Sequence, residues 1–315
     1  ERIESKHDFA QGEKVPPGGA FLQLKSVHGT IVARKWMGRA GFRRRRVVAL
    51  SWLLAANQPW PREQSMKVGV FTALMSQVPL AGVLDKLGSV GIHAIELGTG
   101  NYPGDAHCPL SLLDDTHARS VFQQLLADHR ATISALSCHG NPLHPDPARA
   151  THDREISRRT ILLAEKLGVK TVVEFSGCPG DSPRAAYPNW VTCAWPPEYR
   201  DLLAWQWEKV VTPYWTEHGR FAQDHGVRIA IEMHPGFVVY SPETMLRLRE
   251  LAGPAVGANL DPSHLFWQGT DPIAAVRVLG DAIFHVHAKD TQMYSSNLAR
   301  TGVLDTKPYT DERGR

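Results

Sequence analysis

From residue 66 onward, short runs of apolar and β-branched residues alternate with stretches whose apolar positions recur every three or four residues. The runs at 67–71, 94–97, 132–137, 171–175, 228–232, 257–260 and 283–287 predict strands buried on both faces. A strand with one wet face would alternate polar and apolar positions instead. Between them, residues 80–90 place Leu80, Val83, Leu84 and Leu87 on one helical face. Residues 154–167 predict a helix stopped by Gly168. Residues 202–225 predict a long helix that Pro213 kinks or divides. Residues 242–251 follow Ser241, an N-cap, with Glu243 and Thr244 in the first turn. Residues 271–279 predict a helix capped by Asp271, with Pro272 at its first position. Strands alternating with helices predict a parallel α/β architecture. Seven strands are one short of the (β/α)8 TIM barrel. After Asp290 the chain turns polar and irregular and offers no eighth strand. The expected fold is therefore a TIM barrel truncated before the eighth strand. A Pro-, Gly- and Trp-rich insertion at 177–200 follows the fourth strand, where such barrels build substrate sites.

Residues 1–65 read differently. They lack an amphipathic period and carry Arg43 to Arg46 just before the apolar stretch 47–56. We expect a non-core leader, disordered or non-native, with the body starting at Met66. The alternative is a signal peptide within residues 37–58. The net charge of +3 is unevenly spread: residues 1–65 hold 12 Lys and Arg against 5 Asp and Glu. The body is consequently mildly acidic, which argues against nucleic acid as a partner. Four cysteines without a C-x-x-C pair predict a reduced, cytoplasmic protein. No apolar run reaches the roughly 18 residues that a membrane span needs.

Three strand ends carry the chemistry. They are Ile231-Glu232-Met233-His234-Pro235, Leu260-Asp261-Pro262-Ser263-His264 and His285-Val286-His287-Ala288-Lys289-Asp290. A charged group at the end of a buried strand needs compensation for its lost hydration. In a barrel all carboxyl ends converge on one mouth, so Glu232, Asp261 and His287 are expected to share one divalent metal. Their donors suit Mn²⁺ first, with Mg²⁺, Co²⁺ or Zn²⁺ as alternatives. His285 and His287 are expected on one side of their strand, with Val286 facing away. His264 is a further ligand or a hydrogen-bonding partner for a substrate hydroxyl. Other residues expected at the mouth are Glu96, His139, His234, Trp267, Lys289 and Asp290. Glu96 contacts substrate or pairs with a Lys or Arg, and His139 serves the site or caps the strand. For Glu174 a site role and structural pairing stay equally open. Trp190, Trp195 and Trp267 cover a sugar face or pack the loops.

These residues resemble the sugar phosphate isomerases/epimerases of the xylose isomerase-like TIM barrel superfamily. The resemblance spans about residues 66–310. Its pieces are Ile95-Glu96-Leu97-Gly98, Ser137-Cys138-His139-Gly140-Asn141, residues 175–180, and the three strand ends with Pro235-Gly236 and Asn259. It implies one divalent metal held by a Glu, an Asp, a His and a second Glu. The first three fall on Glu232, Asp261 and His287, and a substrate-contacting histidine falls on His264. The second Glu belongs to an eighth strand that these residues do not supply. The implied activity is isomerisation or epimerisation of a sugar, or a sugar-like polyhydroxy carbonyl compound, by proton transfer through an enediolate. Glu232 is then a catalytic base, and homo-oligomers are compatible with the barrel. The alternatives are a dehydratase, a metal-dependent phosphodiesterase similar to the AP endonucleases, and an inactive sugar-binding fragment.

Overall fold

The structure, a computed structural model, describes residues 23–27, 30–34, 67–308 and 311–314. Within residues 1–65, strands β1 (Gln23–Val27) and β2 (Thr30–Arg34) pair antiparallel across a two-residue link. The stretch 37–58, where the signal-peptide alternative falls, lies outside the described residues, as does Met66.

In the body, seven strands form one parallel sheet in sequence order. They are β3 (Gly69–Phe71), β4 (Ala94–Gly98), β5 (Thr132–Ser137), β6 (Thr171–Glu174), β7 (Arg228–Glu232), β8 (Val256–Leu260) and β9 (Ile283–Val286). Helices connect them: α1 (Leu80–Ser89), α2 (Thr116–Asp128), α3 (Pro147–Leu167), α4 (Glu198–Trp205), α5 (Thr212–Asp224), α6 (Pro242–Ala252), α7 (Ser263–Phe266) and α8 (Pro272–Leu279). The sheet curls, because β4 and β9 stand far apart in strand order yet bring Glu96 into contact with His285 and His287. It is an α/β half-barrel of TIM type, and no eighth strand lies among the described residues.

Two layers of packing result. The main core lies between sheet and helices, around Ile95, Leu136, Val172, Ile229, Ile231 and Leu260. A small cluster of Ala135, Val173, Ala230 and Phe284 fills the inside of the curl. Strand residues two apart share a face, so these two clusters fix which strand ends look into the mouth. The second cluster is tight. A Cβ on Gly257 would collide with the Ala282 carbonyl and the Phe284 ring.

The expected helix stops and caps form. Gly168 takes a left-handed φ of 72° after α3, and Ser241 and Thr244 close a capping box on α6. The long helix is divided as Pro213 implies: a π-helical turn (Gln206–Val211) separates α4 from α5, whose first turn contains that proline. Buried Gln206 uses this turn to donate its amide to the carbonyls of Gly180 (3.0 Å) and Asn189 (2.8 Å), which ties down the 177–200 insertion. One helix goes unread in the sequence and one expectation is corrected. Residues 116–128 form α2, capped by Asp115, although only Phe122 and Leu126 are buried along it. The polar stretch after Asp290 is also not wholly irregular, since α9 (Ser295–Thr301) forms there with no buried residue. No described helix is long and apolar enough to cross a membrane.

Candidate metal centre and mouth

Three strands aim their ends at one point. Glu232 shares the parity of Ala230 and projects inward from β7, only 5% exposed. Asn259 and Asp261 share the parity of Gly257 on β8. On β9 a bulge intervenes: Ala258 pairs with Ile283 but Asn259 pairs with His285, leaving Phe284 as the extra residue. Phe284 therefore plugs the inside of the curl while His285 and His287 also face inward. Val286 faces away and is 45% exposed.

Glu232 is the hub. Its Oε2 lies 3.0 Å from His139 Nε2 and 3.1 Å from His287 Nδ1, and accepts the Asn259 amide at 3.3 Å. Its Oε1 lies 3.0 Å from His264 Nε2. Burial alone would raise its pKa, but the hydrogen bonds of His139, His264 and His287 outweigh that and hold it well below the usual carboxylate range. Asp261 is fully buried. Its Oδ1 accepts the Ser263 amide at 2.9 Å. Its Oδ2 has no hydrogen-bond partner. Lys289 Nζ stands 2.7 Å from that oxygen. His264 Nε2 lies 3.4 Å from it, so ion pairs rather than aligned hydrogen bonds hold this oxygen.

His287 uses both ring nitrogens. Nδ1 faces Glu232, and Nε2 sits 2.8 Å from Glu96 Oε2. Burial would lower its pKa, but the bonds to Glu232 and Glu96 raise it to about 10. Glu96 projects inward from β4, 3% exposed, and also meets His285 Nε2 at 2.8 Å and the Ser137 hydroxyl. Burial would raise its pKa, and the two imidazoles bring it down to about 2. The sequence predicts a substrate contact or a Lys or Arg partner for Glu96. The structure instead places it against two histidines and a serine, beneath the mouth.

Above the cluster opens a cavity of about 500 Å³, lined in part by His234, His264, Trp267, Lys289 and Asp290. His234 gives its Nδ1–H to the Pro235 carbonyl at 2.7 Å, and burial, followed by neighbouring His264, pushes its pKa down to about 4. Asp290 is exposed at the rim and accepts the Thr291 amide. Of the three tryptophans, Trp267 lines this cavity. Trp190 packs edge-on against Tyr240 at 5.4 Å between centroids, and Trp195 is 75% exposed. Glu174 faces the opposite side of the sheet, held by Ser157 and His218.

Sequence reasoning passes over several residues here. Asn259 contacts Glu232 and His287, and its position two residues before Asp261 is the signal that marks it. Phe71, at the end of β3, stacks on His287 with ring centroids 5.9 Å apart. Phe175 meets His139 edge-on at 4.6 Å. No sequence pattern marks an apolar strand end as an aromatic wall. Asn141 serves the loops: its Oδ1 accepts from Cys178 N at 2.9 Å, pinning the loop after β6.

Ligand atoms of Glu232, Asp261 and His287 lie within 4.8 Å of one another, as do those of Glu232, His234 and His264, and those of Glu96, His285 and His287. The groups share Glu232 and His287, so they overlap rather than make three separate centres. Two carboxylates, one with a buried oxygen held by ion pairs alone, and an imidazole fit a divalent cation. The residue pattern, the half-barrel and this donor set agree with the match to a family model described as xylose isomerase-like TIM barrel, which covers residues 84–308. The chain belongs to that family. It is 42% identical over 254 residues, 79% of this chain and 81% of the relative, to the uncharacterized protein YfiH of Bacillus subtilis. Among solved structures it resembles a D-tagatose 3-epimerase-like protein, with a TM-score of 0.51 and 20% identity over 71% of this chain and 76% of that one. It also resembles the IOLI protein with a binding zinc atom, with a TM-score of 0.51 and 22% identity over 73% and 74%. At these identities the structural likenesses speak for the fold.

Proposed function

We propose that this member of the xylose isomerase-like family is a divalent-metal-dependent isomerase or epimerase of a sugar or sugar-like polyhydroxy carbonyl compound. The observation that carries the reading is the convergence of Glu232, Asp261 and His287 beneath a cavity of about 500 Å³ that His264 and Trp267 line. The zinc-bound IOLI structure and the epimerase-like structure on the same fold support it. Glu232, Asp261 and His287 would hold the metal, which when bound acts as a Lewis acid on substrate oxygens. The rest is the work of side chains. Glu232, kept ionised by its imidazole partners, takes a proton from the carbon beside the carbonyl, and its return to either face sets the outcome. His264, bonded to Glu232 and facing the cavity, donates to a substrate oxygen. The exposed ammonium of Lys289 and the carboxylate of Asp290 meet polar groups at the rim, and Trp267 covers an apolar sugar face.

The test is solvent exchange. The protein loaded with Mn²⁺ is incubated in deuterated water with a panel of ketoses, aldoses and cyclic polyol ketones, and products are read by NMR. Deuterium next to the carbonyl, with a new stereoisomer or carbonyl position, is expected. Loss of a hydroxyl instead would make the enzyme a dehydratase working by the same proton removal. Metal uptake without exchange on any polyhydroxy carbonyl compound would overturn the reading.

A further inference from the structure

Beneath the mouth lies a second layer that the proposed reaction does not use. Glu96 on β4 and His285 and the Nε2 side of His287 at β9 come from strands far apart in the sheet order and close on one another. Glu96 Oε2 is 2.8 Å from both His285 Nε2 and His287 Nε2, and Oε1 takes the Ser137 hydroxyl and stands 3.1 Å from His287 Nε2. Both oxygens are thus already committed to protons. On the other side of the ring, the Asn259 amide lies 3.0 Å from His287 Nδ1, next to Glu232. One imidazole therefore presents one nitrogen to a buried carboxylate and the other to the Glu232–Asp261 pair.

We propose that Glu96 is the positioning residue of His287. It accepts the Nε2 proton, so the proton that Nδ1 shares with Glu232 is the one released when a metal binds, and the freed Nδ1 lone pair would face the site of Glu232 and Asp261. A carboxylate behind a ligating histidine orients the ring and makes it a stronger donor. His285, bonded to the same Glu96 oxygen, holds that carboxylate in place from the other side. The bulge at Phe284 gives this arrangement its geometry, because it lets both histidines face Glu96 while the phenyl ring still fills the curl. The competing use of the same atoms is a second cation between Glu96, His285 and His287, whose ligand atoms also lie within 4.8 Å. It would have to displace three hydrogen bonds to a carboxylate only 3% exposed.

The inference rests on the metal reading above, and the test separates the two. Mn²⁺ affinity and stoichiometry are measured by calorimetry with a competing chelator on the full chain, for wild type, Glu96→Gln, Glu96→Asp and Ser137→Ala. One Mn²⁺ per chain is expected. Glu96→Gln should weaken binding about ten- to hundred-fold at unchanged stoichiometry. Glu96→Asp, which keeps the charge, should fall between it and wild type. Ser137→Ala loosens Glu96 without touching the imidazoles, so it should lower the melting temperature yet leave affinity within a few-fold. A merely structural Glu96 would not separate affinity from stability in this way. Nitrogen-15 spectra of the Zn²⁺-loaded wild type, which need no variant to fold, should show His287 ligating through Nδ1 with its proton on Nε2. Ligation through Nε2, a second equivalent of metal lost in Glu96→Gln, or wild-type affinity in Glu96→Gln would each overturn the inference while leaving the metal reading intact. A wild-type chain that takes up no metal would overturn both.

Discussion

Glu232 and Glu174 end neighbouring strands, are 5% and 2% exposed, and each meets imidazole nitrogens at about 3 Å. They nevertheless belong to different parts of the molecule. Glu174 shares the parity of Val172, which packs in the core between sheet and helices. There its Oε1 accepts the Ser157 hydroxyl at 2.7 Å and lies 3.2 Å from His218 Nε2, while Ser157 and His218 also bond each other at 2.8 Å. That triangle is closed and sealed beneath α3 and α5. Glu232 shares the parity of Ala230, faces the curl, and sits beside an Asp261 oxygen that no hydrogen bond holds, below an open cavity. A buried carboxylate with a histidine is thus not by itself a site. What separates the two is an acceptor held by ion pairs alone, to Lys289 and His264, next to a space that a ligand can enter.

The largest expected effect sharpens this contrast. Glu232→Gln should lower the rate of proton exchange at the substrate carbon about 10²- to 10⁴-fold, the usual share of a general base. Glu174→Gln should change it less than a few-fold once both proteins are folded. The check is the initial rate of deuterium incorporation for the two variants side by side. Equal losses would mean that Glu174 reaches the chemistry after all.

The reverse variant probes stability. His218→Ala leaves the Glu174 carboxylate buried with only Ser157 for company, and breaking such a buried pair costs about 3–5 kcal/mol. Chemical denaturation should show this loss, while Mn²⁺ affinity stays at the wild-type value. A smaller step is Asp261→Ala. Metal at a hundred times its dissociation constant adds about 2.7 kcal/mol to a folded protein. For a body of this size that is a rise in melting temperature of about 5–10 °C. Asp261→Ala should abolish the rise, and an undiminished rise would remove Asp261 from the metal centre.

Much of this contrast is legible in the amino-acid sequence. The seven strands stand out because they are apolar on both faces, and the i, i+2 spacing of Asn259 with Asp261 and of His285 with His287 puts each pair on one face. What the sequence leaves open is which face. Parity needs an anchor, and for Glu174 the fold supplies it, with Val173 inside the curl and Val172 outside. Counting by twos across β9 also misleads, because Phe284 and His285 both turn inward through a bulge that no local residue pattern marks. Ser134 is the corresponding extra residue in β5, where Ile95 pairs with Ile133 but Glu96 pairs with Ala135. Helix α2 is legible as well, since Ala118, Phe122, Leu125 and Leu126 recur at i, i+4, i+7 and i+8 and pack on the core. The role of Glu96 escapes because its partners lie 189 and 191 residues away, a distance only the curl of the sheet closes.

The smallest expected effect uses the cysteines as reporters of the two sides. Ser137 and His139 turn to the mouth, where they serve Glu96 and Glu232, while Cys138 between them turns to the helix layer. Burial raises the Cys138 thiol well above its usual range, and the nearby charge of Glu174 adds to that. Burial likewise pushes Cys108 and Cys178 up to about 12. At pH 8 a thiol with a raised pKa stays protonated, and the thiolate is the reactive form. Native protein should therefore react with iodoacetamide at exposed Cys193 alone, and the three buried thiols should appear only after unfolding. The two variants should then diverge. His218→Ala opens the layer around Glu174 and should speed labelling of Cys138. Asp261→Ala disturbs only the mouth and should leave Cys138 as slow as in wild type. Mass spectrometry of the labelled peptides reads both rates, and labelling of Cys138 that accelerates equally in both variants would mean that the mouth and the helix layer open as one unit.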